Sequence, residues 1–236
     1  MFVLVLLPLV ILCAGATSSV VDRVAAELHR QTGRIVTVRV GTVGQIQKQI
    51  AAGKHADVVI VSGKAMGVLA KRASLVQGTR ADLGRSGMGV AVRAGAPIPD
   101  ISSLQALKRA LLAARSIAAT DPKAGASSGI YFAKMLERMG IADQVRPKEI
   151  LVPGGRSCDL VAHGRAQLCA QNITEIIPVK GVVLAGPFPK LVQNYITYSA
   201  AVLKGAASPD AARAFVKELA SPRRAALWRQ AGFVPI

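Results

Sequence analysis

Short apolar runs alternate along the first third of the chain with segments whose apolar residues recur at helical spacing. Residues 9–16 read as a first buried strand, its apolar run broken at Gly15. Val20, Val21, Val24 and Leu28 then recur as one helical face, predicting a helix over 20–31 that stops at Gly33, a C-cap signal. Residues 35–40 alternate as a strand, and Gly41-Thr42-Val43-Gly44 turns into a short helix over 45–52. Residues 56–61 form a third apolar strand, followed by Ser62-Gly63 and a helix to about Ala73. Strands alternating with helices of this length predict a parallel sheet in an α/β fold.

The rhythm changes near Asp82. Residues 84–92, rich in glycine and apolar residues, read as one strand suited to crossing between two lobes. Asp100-Ile101-Ser102-Ser103 caps a helix to about Ala114, and residues 116–119 form a strand. Gly125 to Gly129 opens an amphipathic helix through Met139. Residues 150–152 and 166–170 are further strands, with a short helix to His163 between them and a helical turn from Asn172. The chain is expected to cross back near Gly186, run as a strand over 193–202, and end in helices over 211–219 and 222–230. The predicted organisation is a first lobe from residues 1–84 and 189–236, with a second lobe of 85–188 inserted, each a mostly parallel sheet flanked by helices.

Composition sharpens this picture. A chain of 236 residues, 51% hydrophobic and 4% aromatic, suits Ala-rich helices over apolar strands. The net charge of +17 invites a nucleic-acid reading, but the basic residues are scattered over helix faces and turns, as in Lys71-Arg72 and Arg223-Arg224, without aromatic interleaving. The expectation is therefore no nucleic acid, and a basic surface that steers anions. Of the three cysteines, Cys13 reads as a small buried hydrophobe. Cys158 and Cys169 are near enough in sequence to pair, a disulfide that is not favoured but stays open. No spacing resembles a metal site, and no cofactor is expected. The apolar start is too short to span a bilayer and lacks a basic leader region, so residues 1–8 read as the remnant of a truncated or atypical signal peptide, implying a periplasmic or extracytoplasmic protein.

Candidate chemistry lies in a recurring corner. Several strands turn through small polar residues straight into a helix: Thr17-Ser18-Ser19, Thr42-Val43-Gly44, Ser62-Gly63, Ser127-Ser128-Gly129, Gly155-Arg156-Ser157 and Asn172-Ile173-Thr174. Each presents backbone N–H groups and a positive helix end to an anion. Any one corner is more often an ordinary helix cap; their recurrence in both lobes is what points to a site. Tyr195 and Tyr198 flank the second crossing, where the odd separation aims only one of them toward a ligand.

Ala14-Gly15-Ala16-Thr17-Ser18-Ser19, Val40-Gly41-Thr42-Val43-Gly44 and Ala56-Asp57-Val58-Val59-Ile60-Val61-Ser62, in that order, resemble the molybdate-binding branch of type II periplasmic binding proteins. So do Ser127-Ser128-Gly129-Ile130-Tyr131-Phe132-Ala133-Lys134, Gln193-Asn194-Tyr195-Ile196-Thr197-Tyr198 and the segment from Ser208 to Phe215. The likeness covers residues 10–236. It implies a two-lobed fold with two crossover strands as hinge, and a monomer that delivers a small anion to an ABC-type permease. Carried over by position, Thr17 and Thr42 with Val43 would contact the anion from one lobe, with Ser18 and Ser62 at the same set of corners as further candidates. Ser127 or Ser128, Arg156 or Ser157, and Gln171 would do so from the other, and Tyr195 at the second crossing is a further candidate.

The chain departs from that pattern informatively. Thr42-Val43 stands where the family tends to offer two serines, Gln171-Asn172 where it presents a tyrosine, and Arg156 adds a full charge. A guanidinium fork suits a carboxylate, so these departures point to an organic acid or another oxyanion. The branch also resembles in fold an aconitate isomerase, which sets an enzyme reading beside the binding one. Arg156 could then clamp a carboxylate, with Tyr131, Lys64, Thr17 or Ser18 relaying protons. The three histidines, His29, His55 and His163, read as structural or exposed, Asp57 as a hydrogen bonder at a strand entry, and Trp228 as core packing.

Overall fold

The computed structural model describes residues 7–236; most of the expected leader remnant, residues 1–8, lies outside the described residues. The chain divides into two compact units. Among the described residues the first comprises 7–85, 197–230 and 235–236, and the second 86–196 and 231–234.

The first unit holds strands β1 (Leu9–Ala14), β2 (Val36–Gly41), β3 (Val58–Ser62), β4 (Ala81–Ser86) and β10 (Ile196–Val202) in the order β2-β1-β3-β10-β4. Its helices are α1 (Ser18–Thr32), α2 (Val43–Ala51), α3 (Gly63–Lys71), α9 (Pro209–Leu219) and α10 (Ala225–Gln230). β1 and β3 are buried along almost their whole length, as expected of strands covered on both faces, whereas β2 alternates as an edge strand. Leu9, Ile11, Leu12, Ile60, Met66 and Phe215 are fully buried, each contributing roughly 1.5–3 kcal/mol. Asp57 does what the sequence suggests: it is wholly buried, and its carboxylate accepts from the N–H groups of Val10 (2.7 Å), Ala207 (2.7 Å) and Ser208 (3.3 Å). It thus ties the entry of β1 to the start of α9. Trp228 is buried and donates its indole N–H to the Leu219 carbonyl.

The second unit holds β5 (Met88–Arg93), β6 (Ile117–Thr120), β7 (Glu149–Val152), β8 (Leu168–Asn172) and β9 (Val182–Pro187) in the order β7-β6-β8-β5-β9. Its helices are α4 (Leu104–Ala113), α5 (Ser127–Arg138), α6 (Ala142–Val145), α7 (Cys158–Ala162) and α8 (Ile173–Ile176). Side chains alternate between two cores, with Met88, Val90, Ile117, Ala119, Leu168 and Ala170 on one face and Ala91, Ala118 and Cys169 on the other.

Three expectations need correction. The apolar stretch at 84–92 is two strands, β4 in one sheet and β5 in the other, parted at Gly87. A Cβ there would stand 3.2 Å from both Gln193 and Tyr195, tighter than an ordinary contact, so a larger residue at the break would press on both side chains. Residues 189–196, expected in the first lobe, cluster with the second unit. Val192 enters its core, and the Gln193 side chain both accepts from the Met88 N–H (2.7 Å) and donates to the Met88 carbonyl (2.9 Å). Finally, Cys158 and Cys169 form a disulfide that pins α7 to β8, while Cys13 is free and buried.

Candidate functional site

Strand register decides which corners can act together. In the first unit β1 runs parallel to β2 and β3, with Ala14 opposite Gly41 and Cys13 opposite Ile60. The corners after Ala14, Gly41 and Ser62 therefore stand side by side at one edge of the sheet. In the second unit β6 runs parallel to β7 and β8, with Thr120 opposite Val152 and Ala119 opposite Ala170. The corners after Thr120, Val152 and Asn172 are neighbours in the same way. Both sets occupy carboxyl ends of parallel strands beside an antiparallel neighbour (β10 on β3, β5 on β8), the position where open α/β sheets take ligands.

The side chains at these corners fall into two groups. In the first, the hydroxyl or amide serves the fold. Thr17 is wholly buried and donates to the Ala14 carbonyl (3.0 Å), with Cys13 Sγ at 3.1 Å, and Ser18 donates to the Gly15 carbonyl (2.9 Å). Burial pushes the Cys13 thiol up to about 12, against the smaller opposing effect of Thr17. Thr42 closes a capping box on α2: its hydroxyl accepts from the Gln45 N–H (3.1 Å), and the Gln45 side chain accepts from the Thr42 N–H (2.9 Å). Val43, next to it, is buried and opens α2. Ser157 is wholly buried and donates to Gln171 Oε1 (2.8 Å). Gln171 in turn donates to Thr120 Oγ1 (3.4 Å) and the Gly155 carbonyl (3.2 Å). This one buried amide thereby fastens the three corners of the second unit together.

In the second group the hydroxyl is uncommitted. Ser62 occupies the N-cap position of α3 and makes no side-chain cap bond, although it is 7% exposed. The N-terminus of α5 has no side-chain cap either, and Ser127 and Ser128 sit on its first turn, Ser128 only 3% exposed. Gly129 lets α5 close on β6: a Cβ there would lie 2.0 Å from the Thr120 carbonyl oxygen. Such helix starts offer backbone N–H groups and hydroxyls together, a donor set matched to an anion.

Charge completes the picture. Arg156 lies exposed on the loop before α7 and forms no ion pair among the described residues. Two charged groups at the corners went unnoticed in the sequence. Arg80 donates to Asp82 Oδ1 through Nε (3.1 Å) and Nη2 (3.0 Å), and Asp82 also accepts from the Ser199 hydroxyl. A Cβ on Gly63 would come 3.7 Å from Arg80 Nη2, which puts a guanidinium beside the start of α3. Glu175, on α8, is 9% exposed and receives the Asn172 side-chain N–H at 2.7 Å. Burial drives its carboxyl up to about 7, against the opposing pull of the Asn172 amide, the Arg156 charge and the Gln171 amide. The Asn172-x-x-Glu175 spacing was the available signal, since it is also that of a capping box.

Other candidates fall away from these corners. Tyr131 donates to the Val192 carbonyl (2.7 Å) and receives Arg138 Nη2 (3.0 Å), a structural arrangement. Lys64 is exposed on α3, and His29, His55 and His163 are all exposed. Tyr198 is buried and pairs with Ser62 across β10 and β3; Tyr195 is 51% exposed. No group of residues able to hold a metal occurs among the described residues, and no helix among them is long and apolar enough to cross a membrane.

Comparisons with known proteins agree with this architecture. The chain is 32% identical over 234 residues to an aconitate isomerase of a Pseudomonas species, an alignment covering 97% of this chain and 88% of that one. It is 24% identical over 226 residues to a molybdate-binding protein of Escherichia coli, covering 94% and 87% of the two chains. The fold matches that of a periplasmic molybdate-binding protein of Azotobacter vinelandii with a TM-score of 0.81 at 21% identity, over 97% of this chain and 99% of the other. The model of the bacterial extracellular solute-binding protein family matches residues 9–234, and with two sheets that each gather helix-opening corners at the carboxyl ends of parallel strands, this chain is a member of that family.

Proposed function

We propose that this protein captures a small anion, acting as a monomer that delivers its cargo to an ABC-type permease. The observation that carries the reading recurs within each unit: Ser62 at α3 in the first, and Ser127 and Ser128 at α5 in the second, keep their hydroxyls out of the helix caps. A helix start without a side-chain cap leaves its first N–H groups for an external acceptor. Within the first unit the anion would take the Ser62 corner together with Val43 and its neighbours at the start of α2. Thr17, Ser18, Ser157 and Gln171 act behind them as the framework.

Arg156 directs the choice of anion. A neutral nest of hydroxyls and amides suits a tetraoxoanion, whereas a guanidinium fork adds bidentate recognition of a carboxylate. The ligand class favoured here is an organic acid with more than one carboxylate, in keeping with the relative named for aconitate. Titration calorimetry with molybdate, sulfate, citrate and both aconitate isomers tests this. Tighter binding of the tricarboxylates, lost about tenfold or more in Arg156→Ala, is the expected outcome. Binding of tetraoxoanions alone would overturn the carboxylate assignment.

A second reading is isomerisation of an unsaturated tricarboxylate at the same corners. One observation favours it: Glu175 is a buried carboxyl held by the Asn172 amide and raised by burial to about 7, a range suited to general acid–base exchange. Proton NMR of either aconitate isomer incubated with the protein decides it. Conversion abolished by Glu175→Gln supports the enzyme; an unchanged spectrum rejects it.

A further inference from the structure

Glu175 poses an electrostatic problem for any anion at the second unit's corners. Its carboxyl is buried and receives the side-chain N–H of Asn172, the residue after Gln171, and Gln171 is bonded to Thr120 and to Gly155 at the other two corners. The donor in contact with the carboxyl is the neutral Asn172 amide, not a countercharge. α8 packs against β5, β8 and β9, and these strands carry one charged residue, Arg93, at the end of β5 remote from Asn172. Residues 231–234, which pack on Ile173 and Ile177 through Gly232, bring no charge. Arg156, on the loop before α7, is therefore the charge whose field reaches Glu175.

An ionised Glu175 and a bound anion would compete for that guanidinium in a poorly solvated corner, where like charges repel strongly. An added proton removes the conflict and leaves a carboxylic acid, itself a donor. We propose that anion capture draws a proton onto Glu175, so that this protein binds its ligand as an anion plus a proton. The proposal rests on the anion-capture reading above and adds to it a linkage between affinity and pH. The sign is fixed: the protonated free protein is the competent form, so affinity is highest at acid pH and falls as pH rises through the range in which Glu175 ionises. Burial has already brought that range up to about 7 in the free protein.

The test is titration calorimetry of the whole chain with molybdate, sulfate, citrate and trans-aconitate, at several pH values and in two cationic buffers of different ionisation heat. At pH 7 the wild-type protein should take up about half a proton per anion beyond any proton the anion itself exchanges, and the apparent Kd should rise about tenfold between pH 6 and pH 8. Glu175→Gln should bind with no such uptake and a flat profile. Should that variant fail to fold, sulfate with the wild-type protein still counts the protons, because sulfate does not titrate in this range. Binding without proton uptake, or uptake that persists in Glu175→Gln, overturns the proposal while leaving anion capture intact. Absence of binding by all four anions overturns both.

Discussion

Ser128 and Thr42 both stand at helix starts, yet their hydroxyls do different work. Thr42 caps α2 within its own capping box, so Thr42→Ala should cost about 1 kcal/mol in denaturant unfolding whether or not ligand is present. Ser128 makes no cap bond, so Ser128→Ala should leave unfolding within about 0.5 kcal/mol while weakening anion binding by roughly tenfold. Equal losses of stability in the two variants would assign Ser128 to the fold. Glu175 yields a pH signature in the absence of ligand. Its folded carboxyl titrates near 7 against an ordinary value of 4.5, so the folded state binds more protons than the unfolded one between these limits. Stability from this group is complete below about 4.5 and is lost as pH rises to about 7, amounting to roughly 3 kcal/mol. The difference between the wild-type and Glu175→Gln unfolding curves should show that slope in that window, and a flat difference would refute it.

At the scale of elements, the disulfide is the feature with the largest consequence. It ties α7 to β8, and so fixes the loop that carries Arg156 and Ser157 against the strand that carries Gln171. Closing a loop of this length is worth roughly 3 kcal/mol by chain entropy, so reduction should lower the calorimetric midpoint by about 6–12 °C and weaken anion binding. An unchanged midpoint would mean that packing alone holds the loop. The helices and strands themselves were legible in sequence wherever one physical signal set them. The apolar period placed α1, β3 and α9 within a few residues, and Ser103 capped α4 as its position suggests, donating no side-chain bond but accepting the Ala106 N–H. What stayed hidden depends on distant partners. The break at Gly87 lies against Gln193 and Tyr195, far along the chain, and nothing in the local pattern records it. Among site residues, the corners were visible as small polar steps after strands, but which hydroxyls serve the fold was not. Thr17 and Ser62 look alike in sequence; only the backbone carbonyl beside Thr17 separates them. Glu175 reads as an ordinary acid in a first helical turn until its burial is known.

For the whole molecule, the formal charge of +17 bears on how the ligand arrives. A scattered basic surface raises the local concentration of anions without holding them, so the association rate should fall several-fold as ionic strength rises from about 0.01 to 0.15 M, with the dissociation rate nearly constant. Stopped-flow binding at varied salt reads both rates. The reverse pattern would place the electrostatics in the bound complex. The central claim remains that the donor-lined corners exist to hold an anion. Thermal unfolding of the purified chain against molybdate, tungstate, sulfate, phosphate, citrate and the aconitate isomers, with neutral sugars as controls, tests it most directly. A ligand at about 100 times its Kd adds roughly 2.7 kcal/mol. The account predicts a midpoint raised by at least one anion, most by a tricarboxylate, and unmoved by sugars. A midpoint that no anion raises, or that neutral sugars raise as much, would contradict it.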